Sequence, residues 1–349
     1  MDAHIMTVRG PIDPRLVGPT SMHEHVFWDA SQAWWLPETF DQPELTELPL
    51  TPRTSGLARW NALGIRDNLL TGAEDFDAQA DEIRDFATAG GTCIVDLTNE
   101  GISPAPLELR AMSETTDIDF VAGCGFYVHA THPQWLEDAS VEEMQAAIDR
   151  QIREGVGGTG VLPGIIGEIG TSGEWYACEE RVLRAAARVG LATGTAVNVH
   201  TTATGRHAVR IVDVVEDEGF DPRRLIFSHL DEVLDATYHR QVLERGAIVG
   251  FDSFGCDFSF GRLWKSPSDD EKMHGLLHAI EMGYEDQLVM GHDVSLKCQL
   301  KRFGGLGYDH VLRRIVPALR RDHGIEQALI DKLLVMTPRR LLERPSLPA

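Results

Sequence analysis

The chain has 349 residues, of which 43% are hydrophobic, so it can build a sizeable core and is not globally disordered. Its 32 Lys and Arg against 54 Asp and Glu give a formal net charge of −22. Such an acidic chain is a poor candidate for binding nucleic acid or an anionic membrane, because both need clustered positive charge. We expect a small-molecule partner instead.

The N-terminus and the cysteines indicate the compartment. The first residues lack a basic region followed by an apolar stretch, so we expect no signal peptide. No apolar run approaches the ~20 residues of a spanning helix. The 5 Cys are scattered and include no CxxC pair, which favours reduced thiols over a disulfide framework or a cysteine zinc site. These features predict a cytoplasmic protein.

The predicted elements follow one another regularly along the chain. Residues 1–18 contain Gly10-Pro11, a turn signal, and predict a short β-hairpin over the bottom of the fold. Eight apolar runs follow and predict strands at Thr20–Phe27, Thr92–Thr98, Phe120–Val128, Gly164–Gly170, Ala192–Thr201, Leu225–Asp231, Ala247–Phe254 and Leu288–Ser295. Amphipathic segments between them predict helices at Glu74–Ala89, Val141–Glu154, Cys178–Val189, Arg206–Glu218, Ala236–Arg245 and Asp270–Met282.

Strands that alternate with helices predict parallel pairing through right-handed crossovers. Eight such units favour a closed (β/α)8 TIM barrel over a doubly wound sheet, in one domain over residues 1–349. Ser140 and Glu143 predict a capping box, and Thr337-Pro338 predicts an N-cap with proline in the first turn. Residues 29–56 lack periodicity, and a loop of that length is usually functional or disordered.

Histidines and carboxylates recur where these strands end. His23 and His25 share one face of the first strand, which is a chelating geometry. Two histidines on a polar strand face that binds no metal would show the same spacing. Further candidates end the fourth, fifth, sixth and eighth strands: Glu168, His200, His229 and Asp293. Because strand ends converge at one mouth of a barrel, these side chains would meet there. They suffice for two divalent ions that share a carboxylate, with zinc, iron, manganese or cobalt as suitable metals.

These motifs resemble the phosphotriesterase-like branch of the amidohydrolase superfamily. The matching stretches are Thr7–Ile12, Thr20–His25, Ile166–Gly170, Val199–Thr201, Ser228-His229, Gly291–Asp293 and Phe303–Tyr308. They follow the order of the family from residue 7 to about residue 340 and so cover nearly the whole chain. The resemblance implies a barrel hydrolase with two metal ions, for which zinc is our first expectation.

The resemblance also implies a role for each residue. His23, His25 and Asp293 would hold the more buried ion, and His200 and His229 the more exposed one. Glu168 stands at the bridging position, where many relatives carry a carboxylated lysine, so we expect no modified lysine here.

Two residues are predicted to be catalytic. A water between two cations is a nucleophile at neutral pH, because metal ions lower its pKa. Asp293 would take its proton and pass it to the leaving group. Tyr127 falls where lactonase-type relatives carry a tyrosine that faces the metals, although a tyrosine of the barrel core is an equal alternative.

The sequence departs from the lactonase pattern at one position. Ser253 stands where such relatives often carry an arginine, which weakens a homoserine-lactone assignment. Aromatic loops predict an apolar mouth with a cationic spot, built from Phe27, Trp28, Trp34, Trp35, Phe258, Phe260 and Trp264 with Arg262 and Lys265. His129 and His132 are further candidates for substrate contact.

Several functions remain open at this point. The first is hydrolysis of a lactone or carboxylic ester with side activity on phosphotriesters. The second is an amidase, and the third a silent binding or scaffold protein. A deaminase is disfavoured because Ala203 replaces an expected acid. Residues 155–160 satisfy GxGxxG but follow a helix and precede a strand, the wrong order for a dinucleotide site. A homodimer is a further expectation from the resemblance.

Overall fold

The eight predicted strands form the wall of a closed parallel (β/α)8 barrel, which confirms the predicted fold class. The structure is a computed structural model that describes residues 3–37 and 42–346. The wall consists of two hydrogen-bonded arcs, one of three strands and one of five. Gly164 N donates to Ala122 O at one junction, and Asp293 N donates to His23 O at the other, 2.9 and 3.1 Å apart. These bonds close the barrel.

The strands and helices alternate along the described chain. The strands are β1 His4–Thr7, β2 Gly10–Ile12, β3 Thr20–Glu24, β4 Trp28–Asp29, β5 Leu70–Thr71, β6 Cys93–Asp96, β7 Asp119–Ala122, β8 Ile166–Gly170, β9 Val197–His200, β10 Leu225–Ser228, β11 Ile248–Phe251, β12 Ser259–Phe260, β13 Trp264–Lys265, β14 Leu288–Met290 and β15 Glu343–Arg344. The barrel uses β3, β6 to β11 and β14.

The helices lie outside the wall. They are α1 Ser31–Trp34, α2 Ser55–Trp60, α3 Phe76–Thr88, α4 Pro106–Thr116, α5 Val141–Glu154, α6 Ala177–Thr193, α7 Ala208–Asp217, α8 Ala236–Leu243, α9 Asp269–Glu281, α10 Val316–His323, α11 Gln327–Asp331 and α12 Thr337–Leu342. Among the described residues, no helix is both long enough and apolar enough to cross a membrane.

The predicted strands are in the right places but are too long. Most end several residues early, because the chain leaves the ladder to form the loops that carry polar side chains. The predicted strand start at Ala192 is wrong, since α6 continues to Thr193. The capping box of Ser140 and Glu143 is confirmed. Thr337 is not an N-cap, because a π-helical turn over Lys332–Met336 runs directly into α12.

The N-terminal hairpin forms as predicted from residue 3 onward and closes the bottom of the barrel. Strands β1 and β2 pair antiparallel, and β15 near the C-terminus adds a third strand that the sequence did not reveal. Val8 N donates to Phe120 O of β7, 2.8 Å away. The hairpin therefore seals the end of the barrel opposite the polar strand ends.

The core has separate parts inside and outside the wall. Inside the barrel, aliphatic side chains fill the lower half, including Met22, Val95, Val121, Ile226 and Val289. Outside, the other faces of the strands pack against the helices. The apolar filling below leaves only the upper mouth of the barrel for polar groups.

Candidate active site

The structure brings the six predicted ligand residues together at the C-terminal ends of the barrel strands. His23 and His25 lie at the end of β3, with their Nε2 atoms 3.2 Å apart. His25 Nε2 lies 3.5 Å from Glu168 Oε1 and 3.3 Å from Asp293 Oδ1. On the other side, Glu168 Oε2 lies 3.1 Å from His200 Nδ1 and 3.4 Å from His229 Nε2.

Glu168 joins two groups of donors. One group with a geometry suited to a metal ion contains His23 and His25 with Glu168, and another contains His200 and His229 with the same carboxylate. The side chains of His23, His25 and Glu168 are at most 3% exposed, whereas that of Asp293 is 19% exposed. The carboxylate of Asp293 thus reaches the pocket, while the bridging position is buried beneath it.

Asp252 positions two of these histidines and was not predicted as a site residue. Its Oδ2 lies 2.9 Å from His23 Nδ1, and its Oδ1 accepts a hydrogen bond from His229 N at 2.9 Å. Thr98 Oγ1 similarly lies 2.9 Å from His25 Nδ1. Such outer contacts set which ring nitrogen is available to a ligand. A buried aspartate directly after the apolar β11 was the signal in the sequence.

Two site residues adopt backbone conformations that side chains rarely take. His229 and Asp293 have φ of 65° and 48°, in the left-handed region, directly after or near the ends of β10 and β14. Residues held there cluster at functional sites. The bond from His229 N to Asp252 satisfies the amide that this turn removes from the ladder.

The histidines and carboxylates of this cluster shift one another's pKa values. Burial lowers the pKa of His25, but Asp293 and Glu168 outweigh it and raise the pKa to about 9. His23 also has a raised pKa despite burial, because the same two carboxylates surround it. Burial would raise the pKa of Glu168, yet the charges of His23 and His200 hold it well below its usual range. The site therefore holds buried carboxylate charge that cations must balance.

The donor set fits two divalent metal ions. Imidazole nitrogen and carboxylate oxygen are the donors that zinc and neighbouring metals prefer. His200 Nε2 is buried and has no hydrogen-bond partner among the described residues, while its Nδ1 faces Glu168. His23, His25 and Asp293 would hold one ion, His200 and His229 the other, with Glu168 shared. This assignment remains a prediction.

Tyr127 lines the pocket beside the histidines. Its hydroxyl accepts a hydrogen bond from Trp34 Nε1 at 3.0 Å and lies 3.4 Å from His200 Nδ1. Burial and the nearby Glu168 raise the pKa of this phenol well above its usual value. The hydroxyl is therefore neutral and is placed next to the predicted metal ligands; its catalytic role remains a prediction.

The apolar mouth forms, but only part of the predicted set lines it. Trp28, Trp34, Phe260 and Trp264 line the pocket. The remaining candidates are not among the lining residues: Phe27, Trp35, His129, His132, Phe258, Arg262 and Lys265.

The predicted cationic spot does not line this pocket, and for Lys265 the structure shows the reason. The ammonium of Lys265 pairs with Asp257 and Ser266 O on the outside of the loop. His129 pairs with Glu137 at 2.5 Å, and His132 Nε2 donates to Tyr127 O at 2.9 Å, so both histidines are held in the loop after β7. Their hydrogen bonds thus lie within that loop, and a substrate contact from either histidine stays a prediction.

Comparison with known proteins agrees with this geometry. The model of the phosphotriesterase family matches residues 3–342. The N-acetyltaurine hydrolase of Xenopus tropicalis is 32% identical over 98% of both chains. A resiniferatoxin-binding protein from Rhodobacter sphaeroides is 36% identical, with a TM-score of 0.92 over 97% of this chain and 94% of that one. The phosphotriesterase homology protein of Escherichia coli, solved with phosphate in its active site, is 25% identical, with a TM-score of 0.77 over 95% of this chain and 100% of that one.

The barrel and its cluster of four imidazoles and two carboxylates are typical of binuclear metal-dependent hydrolases. The chain belongs to the phosphotriesterase family, which confirms the resemblance identified from its motifs.

Proposed function

We propose that this chain is a binuclear metal-dependent hydrolase that cleaves an N-acyl amide bond. The observation that carries the proposal is the position of Glu168 between two histidine pairs at the floor of a pocket. The choice of an amide is supported by the relative named N-acetyltaurine hydrolase, which matches this chain over almost its full length. The amidase that the sequence left as the alternative thus becomes the first candidate.

The reaction needs a nucleophile and a proton for the departing nitrogen. Two bound divalent ions would supply a water of lowered pKa and polarise the carbonyl group. Asp293 is placed to hold the proton that this water loses, because its carboxylate is charged and reaches the pocket. From there it delivers the proton to the leaving nitrogen, which departs as an amine.

Tyr127 orients the substrate in this scheme. Because its oxygen accepts the Trp34 hydrogen bond, its own hydroxyl hydrogen is available to a substrate oxygen in the pocket. Its neutral form at ordinary pH makes it a donor throughout the reaction. This contact would fix the acyl group relative to Asp293.

Ester and lactone hydrolysis is the second candidate, since the same attack applies and an alkoxide leaves more readily than an amine. Side activity on phosphotriesters, zinc as the resident metal, a cytoplasmic location and a homodimer belong to the same proposal.

The test compares bond types on one protein. We would measure kcat/KM of the zinc-loaded chain on N-acyl amides, lactones, aryl esters and an aryl phosphotriester. We expect the amides to lead, and Asp293→Asn to lose on the order of 10²–10⁴-fold. Asp286→Asn, an exposed carboxylate that pairs with Lys332, is the matched control and should retain full activity. Cleavage of lactones or esters with amides untouched would refute the amide assignment.

A further inference from the structure

The wall of the pocket away from the metal ligands is aromatic. Phe260 and Trp264 stack with ring centroids 4.3 Å apart on the hairpin of β12 and β13. Trp34 meets Trp264 edge-on at 6.5 Å and also lies 5.8 Å from the ring of His200. These rings span the space between the loops after β3 and β11. The faces of such rings attract cations as well as apolar groups.

One carboxylate, Glu232, belongs to this aromatic wall. Its Oε2 accepts a hydrogen bond from Trp264 Nε1 at 3.2 Å. Its Oε1 accepts from Ser253 Oγ at 2.8 Å and from Ser266 Oγ at 2.6 Å. Oε1 is thus fully engaged within the protein, whereas Oε2 has one protein donor and spare capacity to accept another. Because Glu232 lines the pocket, that capacity is available to a substrate.

The cation that compensates Glu232 lies behind it. Lys272 Nζ is 3.3 Å from Glu232 Oε1, and its side chain is 0% exposed. The ammonium donates to Ser253 O, Cys256 O and Ser266 Oγ at 2.7–3.0 Å, so all three of its hydrogens are used. Lys272 therefore holds the carboxylate in place but cannot reach a ligand in the pocket.

No Lys or Arg is found among the described residues that line this pocket. A negatively charged group on the part of the substrate away from the scissile bond would meet Glu232, and no lysine or arginine of the pocket lining could pair with that group, because Lys272 is buried behind Glu232. An ammonium, an amide N–H or a hydroxyl would instead find a free acceptor and aromatic faces. The charge of the wall thus discriminates between substrates that share the same acyl bond.

We propose that Glu232 is a specificity-determining residue that selects N-acyl amides whose amine part is neutral or positively charged and partly apolar, and rejects amine parts that carry an anion. The inference rests on the proposed amide hydrolysis. It separates this chain from the relative named N-acetyltaurine hydrolase, because taurine carries a sulfonate.

The test uses three N-acetyl amides that share a two-carbon spacer and carry a positive, a neutral or a negative end group. They are the acetyl derivatives of ethylenediamine, ethanolamine and 2-aminoethanesulfonate. We expect kcat/KM of the zinc-loaded protein to fall from the cation to the anion by at least about tenfold, because like charges at short range repel. In Glu232→Gln this ratio should fall to about threefold or less, since the neutral amide keeps the shape without the charge.

Glu281→Gln, an exposed carboxylate on α9, is the matched control and should leave the ratio unchanged. If Glu232→Gln does not fold, the ratio in the native chain decides, and a preference for the anion overturns the inference while leaving amide hydrolysis intact. If none of the three amides is cleaved, the proposed function fails. Binding of the same compounds, measured by calorimetry, then still tests whether Glu232 selects the charge of the ligand. Equal binding, tighter binding of the anion or no binding of the cation then overturns the inference.

Discussion

The contact between Asp252 and two histidines gives the sharpest prediction for the metal centre. Asp252 offers two acceptors, one to His23 Nδ1 and one to His229 N, each at 2.9 Å. In the metal-bound form, a carboxylate at this position would keep the hydrogen of His23 on Nδ1 and leave the lone pair of Nε2 for the ion, on the side where Glu168 and Asp293 lie 3.7 and 3.6 Å away. We expect Asp252→Asn to disturb this arrangement in either orientation of the new amide.

The two orientations fail in different ways. If the amide NH2 faces His23, Nδ1 becomes the acceptor and the hydrogen moves to Nε2, the atom needed by a metal ion. If it faces His229, two N–H groups oppose each other and the buried backbone amide loses its partner, at a cost of about 1–3 kcal/mol. Loss of such an outer contact typically weakens metal binding about 10–100-fold, or roughly 1.4–2.7 kcal/mol.

The assay is equilibrium zinc affinity, measured by competition with a chromophoric chelator. Asp231→Asn is the matched control, because Asp231 is also a buried carboxylate but accepts a hydrogen bond from Ser253 N instead of facing an imidazole. We expect Asp252→Asn to lose at least about tenfold in affinity and the control to stay within about threefold. Equal zinc affinity in the two variants would refute the positioning role of Asp252.

Three further predictions concern stability. Burial raises the pKa of Glu82 to about 6, so the folded chain favours the neutral carboxyl; this contribution to stability is present below pH 4.5 and is lost as the pH rises through 6. Glu82→Gln should therefore raise the free energy of unfolding at pH 8 by up to about 2 kcal/mol, but not at pH 4.5. A difference between the two proteins that does not depend on pH would contradict this prediction. Lys272→Met leaves Glu232 and Asp231 without their buried cation and should lower the free energy of unfolding in urea by about 3–5 kcal/mol, whereas Lys332→Met, in a more exposed ion pair, should cost much less. Removal of metal by a chelator should lower Tm, because an ion at 1,000 times its Kd adds about 4 kcal/mol to the free energy of unfolding, and added zinc should restore Tm. An unchanged Tm in protein that elemental analysis shows to be free of metal would count against the metal centre.

The order and type of the barrel elements could be read from the sequence because they depend on local periodicity. Apolar runs that alternate with amphipathic segments specify strands and helices over a few residues at a time. The ends of the elements could not be read in this way. The run from Ala192 is as apolar as a strand, yet its first residues complete α6, because packing decides where an apolar helix ends. Thr337-Pro338 resembles a helix start but lies inside a continuing helix.

The same division holds for the site. His23, His25, Glu168, His200 and the other predicted ligands were visible because strand ends converge in a barrel, so that topology alone brings them together. For Asp252 the sequence showed only a carboxylate directly after an apolar strand. It could not show the partners of Asp252, because both come from other strands.

The sequence by itself therefore determined the barrel, the family and the residues expected to hold metal. Only the tertiary structure decided which aromatic residues line the pocket, that Lys265 faces away from it, and that Glu232 is the carboxylate beside its aromatic wall. The physical reason is that a loop side chain takes its direction from distant partners, such as Lys272 behind Glu232. A strand side chain takes its direction from the backbone, because successive residues point to opposite faces of the sheet and their order in the sequence shows which residues share a face.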